Sequence, residues 1–148
     1  MLKRIARVGT EGRARVITAA KSDNTATILA ARFTYNQLMK RGVEIYEYQP
    51  TKLHTKLIVI DDVVHIGSAN FDMRSLYLNL EIVLRIEDKA LADRMREFVS
   101  HHITASERIT KELHCQRATL WNRIRWNLGW ILVSVIDYTI TRRLNLGL

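Results

Sequence analysis

The sequence predicts an α/β fold, a sandwich in which a mixed β-sheet is flanked by helices. Short runs rich in β-branched residues alternate with longer segments whose apolar residues recur at helical spacing. A strand and a helix come first, and several strands and a second helix follow, an order typical of a mixed sheet covered by helices. With 148 residues, 47% of them hydrophobic, the chain is long enough to bury a core.

The first strand and the first helix have clear boundaries. Residues 15–20 (RVITAA) form a short apolar run typical of a buried strand. Residues 22–24 (SDN) supply turn and N-cap side chains for a helix that begins at Thr25, and Gly42 is suited to its C-terminal end. The predicted apolar face of this helix consists of Ile28, Ala31, Tyr35, Leu38 and Met39.

Further strands are predicted from alternation and from turn residues. They cover residues 43–48 (VEIYEY), 54–61 (HTKLIVID), 63–66 (VVHI) and 79–86 (NLEIVLRI), and a polar loop over residues 67–75 precedes the last of them. Asp61 and Asp62 form the turn between the second and third of these strands. Asp88 is a cap for a second helix with the apolar face Leu91, Met95, Phe98, Val99 and Ile103.

The last part of the chain differs in composition, so we predict a domain over residues 1–115 and a basic amphipathic tail over 116–148. The tail holds all three tryptophans, an apolar stretch over residues 128–140 and flanking arginines. Thirteen helical residues rise only about 20 Å, which is short of the roughly 30 Å hydrocarbon core of a bilayer. Two interpretations remain open: a helix packed on the domain, or an interfacial helix with tryptophans at headgroup depth and arginines on anionic phosphates.

The net charge limits the classes of partner, and the cysteine content excludes an internal disulfide. The formal net charge is +8, which favours nucleic acid, anionic lipid headgroups or a phosphate-bearing substrate without choosing among them. The lone Cys115 forms no internal disulfide. Four potential metal ligands occur near the C-terminal part of the chain: His101, His102, His114 and Cys115. Their spacing matches no established metal-binding pattern, so we predict no metal site. The first residues are basic without a signal-peptide pattern, and we expect a chain that begins part-way into a larger protein.

One set of polar residues indicates phosphate chemistry. His54 and Lys56 are two apart in a predicted strand, so their side chains leave the same face. Gly67, Ser68 and Asn70 follow in a tight loop, where glycine allows close backbone approach and the other two offer neutral donors. An imidazole, an ammonium and such donors on one surface can hold a phosphate and stabilise developing charge.

These residues resemble the phospholipase D superfamily, and bacterial cardiolipin synthases in particular. HTKLIVID matches the pattern H-x-K-x-x-x-x-D, GSANFD matches the G-S-x-N element that follows it, and the likeness extends over residues 13–148. The resemblance implies metal-free catalysis through a covalent phosphohistidine, without a cofactor. It also implies that His54 is catalytic, in the acid/base role usual for the C-terminal histidine, with Lys56 and Asn70 as phosphate ligands and Ser68 assisting.

Two carboxylates need separate roles. Asp61 belongs to the family pattern, but it is seven residues from His54, so an unbroken strand sends it to the opposite face. We therefore predict a structural ion pair or a turn contact for Asp61. Glu81 lies just past the phosphate loop and is the better partner to orient the imidazole of His54.

The sequence contains one such motif where this chemistry needs two. A partner half on a longer chain, a two-fold homodimer and an inactive remnant are the three explanations, and the abrupt start favours the first. The predicted function is phosphatidyl transfer between two phosphatidylglycerol molecules, at the cytoplasmic face of a bacterial membrane as a peripheral protein. The alternatives are a homodimeric phosphodiesterase or endonuclease, and a membrane-binding module with a dead half-site.

Overall fold

A computed structural model describes residues 2–69 and 81–136. In these ranges the strands are β1 (Arg15–Ala19), β2 (Glu44–Tyr48), β3 (Leu57–Ile60), β4 (Val63–Gly67), β5 (Val83–Glu87) and β6 (Ser106–Ile109). The helices are α1 (Leu2–Glu11), α2 (Thr25–Met39), α3 (Lys89–Thr104), α4 (Lys111–Arg117) and α5 (Leu120–Ile131), and a π-helical turn (Leu132–Ile136) follows α5. The predicted mixed α/β class is confirmed.

The described strands form two small sheets rather than one. Residues 2–53 and 105–132 make a first compact unit, whose sheet has the order β1-β2-β6. Here β1 runs parallel to β2, and β6 runs antiparallel to it, so this sheet is mixed. Residues 54–69 and 81–104 belong to a second unit, with the antiparallel order β3-β4-β5 and the helix α3.

The core of the first unit lies where α2 covers its sheet. Its buried members are Tyr35, Leu38, Met39, Val43, Ile45 and Ile109. The side chain of Asn24 accepts a hydrogen bond from the Ala26 amide at 3.0 Å and caps α2. At the other end Gly42 takes a left-handed conformation, φ 79°, that L side chains rarely adopt. The predicted boundaries of this helix are therefore confirmed.

Strand β2 buries an acidic side chain in this core. Its alternation turns Ile45 and Glu47 toward α2, and Glu47 is only 1% exposed. Arg32 on α2 holds the carboxylate through two hydrogen bonds, from Nε at 2.8 Å and from Nη2 at 2.9 Å, and the Tyr35 hydroxyl donates at 3.1 Å. Arg117 adds an ion pair at 3.7 Å. The hydrogen bond to Glu47 raises the pKa of Arg32, and burial raises that of Tyr35.

Several elements differ from the predictions. The strand expected over residues 54–61 begins only at Leu57, and the strand expected over residues 79–86 is described from Val83. Helix α1, strand β6 and helix α4 were not predicted. On α3, Ala92 is fully buried, whereas Phe98 of the predicted apolar face is 41% exposed.

Helix α5 has one packed face and one exposed face. Gly129 lies so close to α2 that an added Cβ would be 2.6 Å from the Cβ of Leu29, and the rings of Phe33 and Trp130 lie 5.2 Å apart. Trp126 is buried beside them. The opposite face exposes Leu120, Trp121, Ile124, Leu128, Ile131 and Leu132. In the described part of the chain, no helix combines the length and the apolar character that a bilayer crossing requires.

Candidate active site

The hairpin of β3 and β4 places Lys56, Gly67 and Ser68 at its open end. The ladder pairs Leu57 with Ile66 and Ile60 with Val63, and the turn between the strands is formed by Asp61 and Asp62. Beyond the assigned strands, the Gly67 amide donates to the Lys56 carbonyl at 3.3 Å, so the antiparallel pairing continues by one residue. This register places the H-x-K segment directly beside the G-S element.

Lys56 lies against the backbone of His54. Its ammonium donates to the His54 carbonyl at 2.8 Å, a bond that uses one of its three donor hydrogens. The residue is half-buried, while His54 is exposed. A positive charge is therefore fixed at the backbone of His54, whose side chain is exposed to solvent.

Gly67 is required by the close approach of β4 to β5. An added Cβ there would overlap the carbonyl oxygen of Ile82 and lie 2.8 Å from the Cα of Val83. Both neighbours are backbone atoms, which a rotamer change cannot move. The sequence predicted that Gly67 allows a close backbone approach. In the structure, the backbone that approaches it is that of the neighbouring segment of the same sheet.

Ser68 is fastened to the segment before β5. Its amide donates to the Ile82 carbonyl at 2.9 Å, and its hydroxyl oxygen accepts from the Ile82 amide at 3.1 Å. The hydroxyl itself donates to Oε2 of Glu81 at 2.5 Å. Because a serine has a single O–H donor, that donor is engaged by Glu81 in this structure.

Glu81 therefore joins the site through the loop. It precedes β5 instead of lying within a strand, and its carboxylate accepts the short, charge-assisted hydrogen bond from Ser68. Sequence reasoning missed this contact between Ser68 and Glu81. No local signal in the sequence indicates it, because the contact depends on the register that pairs Gly67 with Val83 and sets Ser68 opposite Ile82.

Asp61 lies at the other end of the hairpin. The four residues of β3 separate it from Lys56 by more than about 13 Å. Its φ of 48° is in the left-handed region, which aspartate tolerates in tight turns, and its carbonyl accepts a hydrogen bond from Arg96 of α3. The structure thus gives Asp61 a turn position. The remaining predicted ligand, Asn70, lies outside the described residues.

The positive charge of the chain is not concentrated at this site. Residues 54–104 contain six Lys and Arg against eight Asp and Glu, whereas residues 1–53 and 105–132 contain fifteen against six. Within the described residues no group of three or more His, Cys, Asp or Glu is arranged to hold a metal ion. Lys56 is thus a local positive charge in a segment that is slightly acidic overall.

Comparison with known proteins gives a consistent family. A family model described as the phospholipase D-like domain of cardiolipin synthase matches residues 1–103. Cardiolipin synthase A of Escherichia fergusonii is 34% identical over 122 residues, which cover 82% of this chain and 25% of that protein. Cardiolipin synthase A of Escherichia coli O1:K1 matches with the same identity and coverage. The chain thus spans about a quarter of the length of the curated relatives it matches.

Proposed function

Because the chain belongs to the phospholipase D-like family of cardiolipin synthases, we propose that it supplies one half-site of a phosphatidyltransferase. The proposed reaction joins two phosphatidylglycerol molecules to give cardiolipin and glycerol. One observation carries the proposal: the bond from the Gly67 amide to the Lys56 carbonyl, which brings the H-x-K segment beside the G-S element.

The proposed chemistry assigns proton transfer to His54. In the first step, a histidine of a second half-site attacks phosphorus, the bond from phosphorus to the glycerol oxygen breaks, and His54 donates a proton to that oxygen. In the second step, His54 takes the proton from a hydroxyl of the incoming phosphatidylglycerol. That oxygen then attacks phosphorus, and the bond between phosphorus and histidine breaks.

Phosphate binding falls to the neighbouring donors. The two ammonium hydrogens of Lys56 that are not bonded to the His54 carbonyl are available to phosphate oxygens, and Asn70 is the proposed amide ligand. Ser68 assists by holding Glu81, and we propose that Glu81 orients the imidazole of His54. Asp61 contributes to the hairpin turn and takes no part in the reaction.

We also propose that the exposed face of α5 rests in the headgroup layer of an anionic membrane. Trp121 is 68% exposed and Leu128 is 60% exposed, and Arg125 lies between them in the sequence of the same helix. Between Glu112 and Asp137 the sequence has no acidic residue. Apolar and aromatic side chains with flanking arginines suit the boundary between acyl chains and anionic headgroups. The protein would then be peripheral to the bacterial membrane.

An activity assay tests the proposed transfer. In the first sample, the isolated chain is incubated with phosphatidylglycerol vesicles. The second sample contains a graft, in which this chain replaces the matching 122-residue segment of the Escherichia coli relative. We expect cardiolipin and glycerol from the graft; formation by the isolated chain as well would identify a homodimer as the complete site. Cleavage of plasmid DNA without any lipid product would instead favour the phosphodiesterase. Vesicle binding with no product in any sample would indicate a membrane module.

The orienting role of Glu81 gives a separate prediction. Glu81→Gln keeps the shape of the side chain but weakens the acceptor for both the serine and the imidazole, so turnover in the graft should fall by about 10²-fold. Ser68→Ala should lower it less, because Glu81 itself remains. Glu87→Gln, on the neighbouring strand and exposed, is the matched control and should change turnover less than about twofold. A near-wild-type rate for Glu81→Gln would refute the assignment.

A further inference from the structure

A cleft in the first unit is lined by none of the predicted site residues. Its volume is about 250 Å³, and it opens between α2, α4 and α5. Phe33 and Trp126 contribute apolar walls, while His114, Arg123, Asn36 and Asn127 contribute polar groups. No acidic side chain is among its described lining residues. Apolar walls together with basic and amide groups suit an organic anion with a few carbon atoms.

His114 is a mostly buried imidazole whose ring nitrogens form no hydrogen bond with the described residues. It is 8% exposed, and its ring stacks on Trp126 with centroids 4.9 Å apart and planes at 17°. An imidazole carries at least one N–H donor. Among the buried side-chain atoms of the described residues, only Nδ1 of His65 lacks a hydrogen-bond partner, so the ring nitrogens of His114 reach solvent through the cleft and are open to a ligand.

Burial lowers the pKa of His114, and the charges of Arg123, Arg117 and Arg32 act in the same direction. The nearby Glu47 carboxylate opposes them. These groups favour a neutral ring in the empty cleft. An anion bound beside the ring would reverse part of that effect, so His114 can report on occupancy.

Arg123 is anchored with most of its donors unused. Its Nε donates to the Ala118 carbonyl at 2.9 Å, and its four other N–H groups make no hydrogen bond within the described residues. Asn127 donates to the Arg123 carbonyl at 2.7 Å and keeps one amide hydrogen. The side chain of Asn36 forms no hydrogen bond with the described residues. A preformed guanidinium with two amide donors nearby matches the acceptors of a phosphate group.

The size of the cleft limits the ligand. Sites for drug-sized molecules begin at about 300 Å³, so a nucleotide or a whole lipid does not fit within this volume. A phosphate group with its first ester carbons does. We propose that this cleft binds a phosphate group, either free or in a phospholipid headgroup, at a site whose lining does not include His54. The inference goes beyond the proposed transfer reaction and does not depend on it.

Nuclear magnetic resonance of the histidine side chains tests the proposal. Inorganic phosphate is titrated into the chain at constant ionic strength, and the His114 signal is assigned from its loss in His114→Phe, which keeps an aromatic ring on Trp126. We expect a saturable shift of that signal. Phosphatidylglycerol vesicles, with phosphatidylcholine vesicles as control, form the second arm. A response to these vesicles but not to phosphate would identify a lipid headgroup as the source.

Matched variants decide whether the cleft is responsible. Arg123→Gln should raise the dissociation constant at least about tenfold, which corresponds to about 1.4 kcal/mol. Asn36→Asp, at a position without hydrogen bonds to the described residues, should weaken binding by placing a negative charge at the cleft. Lys111→Gln removes an exposed charge from α4, in the same unit but outside the lining, and should change the constant less than about twofold. An absence of saturable shifts in both arms, or equal losses for Arg123→Gln and Lys111→Gln, would overturn the proposal.

Discussion

Replacing His54 by glutamine is expected to lower cardiolipin formation by the graft at least about 10³-fold without changing its stability. Glutamine forms hydrogen bonds but cannot donate or accept a proton near neutral pH, so both proposed proton transfers lose their catalyst. The side chain is exposed, and the described contact of this residue is made through its carbonyl, which the substitution leaves in place. Exposed substitutions of this kind change stability by less than about 0.5 kcal/mol.

His101→Gln is the matched control for this prediction. It makes the same change at an exposed histidine of α3, in the same compact unit, and should leave turnover within about twofold of wild type. Cardiolipin formation and thermal melting are measured on both variants. If His54→Gln retained more than about a tenth of the activity while the control behaved as expected, proton transfer by His54 would be disproved.

The predicted part of the site depended on local rules. Alternation predicts that His54 and Lys56 share one face, and that Asp61, an odd number of residues later, lies on the opposite face. The predicted strand over residues 54–61 nevertheless began too early in the sequence. The apolar run begins at Leu57, and the polar residues before it lie outside the assigned strand even though one ladder bond reaches Lys56.

The contact between Ser68 and Glu81 shows why the other contacts of the site could not be predicted from the sequence. Thirteen residues separate the two side chains, and their meeting depends on which strands pair and in what register. Local propensity does not contain that information, because register is set by long-range pairing and by the packing of one face. The same reason applies to β6, a four-residue strand (SERI) that pairs with β2 from about sixty residues away.

The buried acid of β2 is a further case in which local pattern and tertiary structure differ. In the run VEIYEY, alternation puts Val43, Ile45 and Glu47 on one face, and two of these three positions are ordinary core residues. Across the ladder, Glu47 also faces Glu107, and like charges placed opposite each other destabilise a sheet. Arg117 resolves this conflict, because it pairs with Glu107 at 2.8 Å and with Glu47 at 3.7 Å.

Glu47→Gln is therefore expected to have the largest effect on stability, lowering the free energy of unfolding by about 3 kcal/mol. Loss of one partner from a buried ion pair costs about 3–5 kcal/mol, and the low end applies because the side chain of Arg32 keeps 28% exposure to solvent. Fluorescence reports this unit directly, since Trp121, Trp126 and Trp130 all lie in α5. Urea denaturation followed by tryptophan emission gives the free energy.

Glu44→Gln provides the matched control on the same strand. Its carboxylate pairs with Arg108 at 3.4 Å, and that arginine is 62% exposed, so solvent screens the pair and the loss should stay below about 1 kcal/mol. Combining Glu47→Gln with Arg32→Met should cost less than the sum of the two single substitutions, because each removes the partner that the other leaves unpaired. Equal losses of unfolding free energy for Glu47→Gln and Glu44→Gln would mean that burial of the carboxylate adds nothing to the effect of removing its charge. The packing of α2 on β2 would then have to be stabilised by its apolar residues alone.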